Sequence, residues 1–155
     1  MRNGSRPFAA LILATSPAMA SPDMTTGNKL VYANVIVTVT GLRSTEGVLR
    51  ACLTPDPKDF PNCRHDATSV RVVASAATEV RLEFTGVKPG QYAIALLHDE
   101  NNNGRMDRAL MMMPREGFGF SRDAPVRMGP PTFDRAAFDV GAENTVMTIR
   151  MRYML

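Results

Sequence analysis

The chain has 155 residues, with 18 Lys and Arg against 15 Asp and Glu, a formal net charge of +3, two cysteines and no tryptophan. Lys29, Lys58 and Lys88 stand alone and the arginines are interleaved with acids, which excludes a protein living by phosphate contacts, since those need clustered basic residues. After residue 21 every apolar run is broken within a few positions, which excludes a spanning helix of about 20 apolar residues there.

At the start of the chain, Arg2 and Arg6 supply a positive region, Phe8 to Ala14 a short apolar stretch, and Ala18-Met19-Ala20 the small-x-small pattern that signal peptidase requires. Residues 1–20 therefore read as a cleavable secretory signal, too short in its apolar part for a membrane anchor. The expected working protein is residues 21–155, a single β-sandwich domain exported to the periplasm or the medium. Loss of Arg2 and Arg6 lowers the formal charge from +3 to +1. The remainder, about 135 residues, is enough for one core that buries around two thirds of the unfolded surface.

From Leu30 to Thr40 the odd positions Val31, Ala33, Val35, Val37 and Val39 alternate with mostly polar residues, and period two means a strand. Val48 to Leu53 offers a second strand and Val70 to Ala74 a third. Val80, Leu82 and Phe84 alternate with Arg81, Glu83 and Thr85 to give a fourth. Lys88-Pro89-Gly90-Gln91 carries the type II turn signature, which predicts that Tyr92 to His98 returns as the hairpin partner. Ala136 to Val140 and a strand through Met147, Ile149, Met151 and Tyr153 close the series. About seven strands, without a long helical period, predict an antiparallel all-β sandwich.

Cys52 and Cys63 bracket a loop with three prolines, and in an oxidising compartment they are expected to form a structural disulfide. Residues 99–135 are too long for an ordinary connection. With Phe118, Phe120, Phe133 and five methionines they are also too apolar for a solvated linker. An ordered excursion packed on the sandwich is expected, with a helical turn near Arg108 to Met113.

Several phrases then accumulate in order: Phe84-Thr85-Gly86-Val87, Pro89-Gly90-Gln91-Tyr92-Ala93-Ile94, His98-Asp99-Glu100-Asn101-Asn102-Asn103-Gly104, Pro114-Arg115-Glu116-Gly117-Phe118-Gly119-Phe120-Ser121 and Gly129-Pro130-Pro131-Thr132-Phe133. Together they resemble a secreted bacterial family catalogued as domain of unknown function 2141, over nearly all of the expected mature chain. The resemblance implies an Ig-like or transthyretin-like sandwich and no established activity.

Asp99-x-Asn101-x-Asn103-Gly104-x-x-Asp107 also resembles the calcium loops of EF-hand and dockerin modules and of some Ig-like adhesin repeats. Oxygen-bearing side chains at positions 1, 3 and 5 converge on a cation, Gly at 6 permits the turn, and position 7, here Arg105, gives its carbonyl. Asp107 stands at position 9. Position 12 is Leu110 where an EF-hand has a bidentate Glu, so a Ca²⁺ would need help from elsewhere, from Glu116 or Asp123. The competing expectation is that Asn103-Gly104 is simply a tight turn.

His98 shares a strand face with Tyr92, Ile94 and Leu96 and reads as structural. His65 reads as surface, and Ser121 lacks the G-x-S-x-G setting of a hydrolase nucleophile. Met111-Met112-Met113, with Met106, Met128 and His98, suggests a soft-metal alternative, but Met is also common packing material. The function expected is a non-enzymatic binding or structural module for an unknown protein or envelope ligand, with periplasmic metal handling as the second reading and a hydrolase as the third.

Overall fold

The computed structural model describes residues 31–109 and 112–155. The expected signal segment 1–20 and Leu30 lie outside the described residues. Among the described residues eight strands are formed: β1 Ala33–Thr40, β2 Val48–Thr54, β3 Val70–Ser75, β4 Glu79–Val87, β5 Gly90–Asp99, β6 Gly117–Phe120, β7 Phe138–Val140 and β8 Thr145–Arg150. Helix among the described residues amounts to a four-residue turn α1, Phe133–Ala136, a 3-10 turn, Ser121–Asp123, and 3-10 geometry at Met112. The architecture is all-β and sandwich-like.

One sheet has the order β4-β1-β8, with β1 antiparallel to β4 and parallel to β8. The other runs β3-β2-β5-β6, and β7 shares the far edge of β5 with β6. Along that edge β6 pairs with Ala95 to His98 and β7 with Gly90 to Tyr92.

Alternation explains the core between the sheets. Val35, Val37 and Val39 of β1, Val80, Leu82 and Phe84 of β4, and Ile149 of β8 point inward. They meet Leu49, Ala51 and Leu53 of β2 and Ile94 and Leu96 of β5. Burying each such side chain contributes about 1.5 to 3 kcal/mol, the main driving force for closing the two layers.

Four features depart from the sequence reading. The first is the parallel pairing of β1 with β8 in a sandwich expected to be antiparallel, because the last strand enters the sheet from the other end rather than through a hairpin. The residues around Lys88-Pro89-Gly90-Gln91 do not close a hairpin: β4 pairs with β1, and β5 pairs with β2. The bend instead carries the chain from one sheet to the other, because a Pro-Gly reversal governs local direction while the ladders are chosen by which faces bury together. The strand count is eight, since Gly117-Phe118-Gly119-Phe120 forms β6 inside the expected long loop. Between Arg108 and Pro114 the chain reverses through an antiparallel bridge, with the Ala109 N–H donating to the Met113 carbonyl at 2.9 Å. The Met112 N–H donates to the Ala109 carbonyl at 3.2 Å, a 3-10 contact within the stretch where a helical turn was expected. Leu110 and Met111 lie outside the described residues.

A second cluster sits on the outer side of the five-stranded sheet, built from Phe60, Ala93, Phe118, Phe120, Ala124, Phe133, Ala136 and Ala137. Phe60 reaches it from the cysteine loop and meets Phe120 and Phe133 edge-on at 5.8 and 6.0 Å between centroids. The disulfide joins Cys52 of β2 to Cys63, with Cα atoms 6.4 Å apart. Among the described residues no helix is long and apolar enough to cross a membrane.

Candidate metal centre

Strand β5 is ten residues long and ends at Asp99, which is fully buried. The chain then turns, with Asn102 at φ 55° and Gly104 at φ 81°. Both values lie in the left-handed region, which Asn tolerates and Gly adopts freely. The Asp99 carboxylate organises this turn: Oδ1 accepts the Asn103 N–H at 2.9 Å, and Oδ2 accepts the Gly104 N–H at 2.8 Å. Oδ2 also receives the Arg50 Nε at 2.6 Å, while the same guanidinium donates to Asn102 Oδ1 at 2.7 Å. Burial works to raise the Asp99 carboxyl, but the bonds from Arg50, Gly104 and Asn103 outweigh it and hold the group below its ordinary range.

The loop brings Asp99, Asn101, Asn103 and Asp107 together. The Asn101 amide donates to Asp107 Oδ2 at 2.7 Å, and the Asn103 amide donates to both Asp107 oxygens at 3.0 Å. Asn101 Oδ1 accepts the Asn103 N–H at 3.1 Å, and Asn103 Oδ1 accepts the Arg105 N–H at 2.9 Å. Arg105 thus follows the turn with its amide tied inward. Among the described residues no group of three or more His, Cys, Asp or Glu stands at metal-holding distance on its own; the oxygens here are shared between carboxylates and amides.

The reversal through residues 107–115 returns the chain to this turn. The Arg115 N–H donates to the Asp107 carbonyl at 2.9 Å, and β6 then pairs Gly117 with His98. That register sets Glu116 at the same end of the ladder as Asp99. Glu116 is buried, its Oε2 accepts the Asp107 N–H at 2.9 Å, and its Oε1 makes no hydrogen bond of normal geometry among the described residues. Burial, and then the neighbouring charges of Asp99 and Asp107, push its carboxyl above the ordinary Glu range. Asp123, the other acid considered for this role, is engaged elsewhere, where its Oδ1 accepts the Arg150 N–H at 3.0 Å.

Close backbone approach fixes the base of the loop. A Cβ at Gly47, which has φ 69°, would collide with the Asp99 and Glu100 carbonyls. A Cβ at Gly117 would strike the Tyr153 ring. Tyr153 donates its hydroxyl proton to His98 Nδ1 at 2.7 Å and accepts the Arg43 N–H at 3.1 Å. The other His98 nitrogen donates to the Glu46 carbonyl at 2.9 Å. Arg43 lies over the Tyr153 ring at 4.6 Å and pairs with Glu100 at 2.5 Å.

His98 is therefore structural, with both ring nitrogens engaged. His65 is exposed, as the sequence reading expects. Ser121 is a pin that sequence reasoning missed: its buried hydroxyl donates to the Ala136 carbonyl at 2.6 Å and accepts the Ile94 N–H at 2.9 Å, tying α1 to β5. A shallow groove lined by Pro125, Arg127, Met128, Pro130, Thr132 and Arg135 includes none of the loop residues.

Fold and loop together define a two-sheet β protein with an oxygen-rich turn at one strand end. The chain belongs to the bacterial family described as uncharacterized protein conserved in bacteria (DUF2141), whose model matches residues 37–148. No curated protein and no solved structure matches it.

Proposed function

We propose that this is an exported, non-enzymatic module that binds or supports a protein or envelope ligand in the periplasm or outside the cell. On this reading one Ca²⁺ held by Asp99, Asn101, Asn103, the Arg105 carbonyl and Asp107 stabilises the loop. The observation that carries it is the convergence of these side chains on one turn beside a buried glutamate oxygen that makes no hydrogen bond of normal geometry. The disulfide supports an oxidising destination. The commitments of His98 and Ser121 to internal hydrogen bonds speak against using either as base or nucleophile.

The test is a melting curve of the purified protein with and without divalent cations. A few millimolar Ca²⁺ should stabilise by about 1 kcal/mol at several times Kd. Mg²⁺ should do much less, because it demands a tight octahedron with retained waters. Asp99→Ala should abolish the response while the β signature in circular dichroism persists. A wild-type melting curve indifferent to Ca²⁺, with no heat of binding, would leave an internally hydrogen-bonded turn and remove the calcium reading.

A further inference from the structure

We propose that Glu116 is the carboxylate ligand that takes the place of the missing acid at position 12, so that the ion bridges the 99–107 turn to the residue that precedes β6. This inference rests on the calcium reading above. Glu116 is 4% exposed; its Oε2 holds the Asp107 N–H at 2.9 Å, and its Oε1 makes no hydrogen bond of normal geometry among the described residues, although the Glu100 N–H lies near the carboxylate. A buried acceptor left unpaired is costly, since it has given up its water without replacing it. A proton on Glu116 would relieve that oxygen alone. A divalent cation would also answer the charges of Asp99 and Asp107 beside it.

The hydrogen bonds leave acceptor sites free for such an ion, and since Asp99, Asp107 and Glu116 do not stand at metal-holding distance of one another, binding would draw them closer. Asp99 Oδ1 and Asp107 Oδ1 each accept a single hydrogen bond, so each keeps an acceptor site open. Arg50 occupies Asp99 Oδ2 rather than Oδ1, so guanidinium and cation need not share an oxygen. The two Asn amides that now donate to Asp107 would turn their oxygens toward the ion. With one or two oxygens from Glu116, the count comes to about six or seven, inside the six to eight that Ca²⁺ takes.

The route to this position differs from that of an EF-hand, where the last ligand lies on the helix that follows the loop. Here the chain makes the 107–115 reversal first, and the β5–β6 register delivers the acid from across the ladder. A ligand immediately before β6 ties the turn to the strand that carries Phe118 and Phe120 into the outer aromatic cluster.

The experiment is calorimetric Ca²⁺ titration of the purified wild-type protein, Glu116→Gln and Asp99→Ala, with circular dichroism on each. Glu116→Gln keeps the shape and removes the charge, and it should weaken Ca²⁺ by about tenfold or more without changing the β spectrum. Wild-type affinity in Glu116→Gln would mean that Glu116 is only a buried structural acid; it would overturn this inference and leave the calcium reading standing. Failure of the wild type to bind Ca²⁺ would overturn both. Should Glu116→Gln fail to fold, the wild type decides. With glutamate carboxyl carbons labelled in ¹³C, the Glu116 resonance should shift on Ca²⁺ addition, and an unmoved resonance under saturation would overturn the assignment.

Discussion

The two excursions that leave the five-stranded sheet are held by different physics. The 52–63 loop is closed covalently by its disulfide and anchored by Phe60 in an aromatic cluster. Its Asp59 carboxylate accepts the N–H groups of His65 and Asp66. The 99–116 excursion has no covalent closure; its turn is gathered by the carboxylates of Asp99, Asp107 and Glu116 and by two Asn amides. A loop held by apolar contact and a covalent bond is complete without a ligand. A loop that draws carboxylates together stores repulsion that a counter-charge relieves, so the two should respond oppositely to ions and reductant.

Breaking the staple should have the largest effect. Replacing Cys52 and Cys63 together by Ser should destabilise by about 2 to 3 kcal/mol, the chain-entropy value for a loop of this length. The loss should be the same with or without Ca²⁺ in denaturant titrations. A loss that changed with Ca²⁺ would show that the two loops are coupled.

Next in size is Arg50→Gln, which leaves the buried Asp99 carboxylate without its cation. Removing one partner of a buried pair costs about 3 to 5 kcal/mol. The Arg50 side chain is 33% exposed, so about 2 kcal/mol is expected in the absence of metal. If the turn takes Ca²⁺, the ion should restore part of that loss, and the thermal shift on adding it should exceed that of the wild type. An identical shift in both proteins would place the ion's charge elsewhere.

The smallest effect concerns acid in the stapled region. Hydrogen bonds from Thr68 first, and then from Thr54, hold the Asp66 carboxyl below its ordinary value despite partial burial. A depressed carboxyl contributes stability that is present above its unfolded value, near pH 4, and lost as pH falls through its lower folded value. Asp66→Asn should therefore flatten the loss of stability on acidification below about pH 4, measured by denaturant midpoints across pH. An unaltered slope would mean that other carboxylates carry all the acid sensitivity.

How much of this was legible in the sequence depends on how local the signal is. Strands β1 and β4 could be read residue by residue, because Val35, Val37, Val39, Leu82 and Phe84 recur with period two and each buries one face. Strand β6 could not, because Gly117 and Gly119 carry no side chain to mark the inward face. Tyr153 fills the space beside Gly117, while Ile149 and Met151 fill it beside Gly119. The Pro89-Gly90 bend was legible as a bend, yet it said nothing about which ladder each arm would join. In the loop, Asp99, Asn101, Asn103 and Asp107 were singled out by their likeness in spacing to a calcium loop, and hydrogen bonds join them within one turn. Glu116 was one of two acids named, and only the reversal that returns it beside Asp107 separates it from Asp123.

The sequence by itself determined the all-β class, the alternation that fills the core, the pair of cysteines and the spacing of oxygen-bearing residues after β5. Each of these is set within a few residues, by the two-residue period of a strand or by the short reach of a turn. Only the tertiary structure decided that β4 and β5 lie in different sheets, that Phe60 joins Phe120 and Phe133, that Ser121 pins α1 to β5, and that Glu116 stands beside Asp99 and Asp107. Those pairings join residues distant in sequence. They follow from burying two sheet faces and an outer aromatic layer together, a condition that no single segment can satisfy alone.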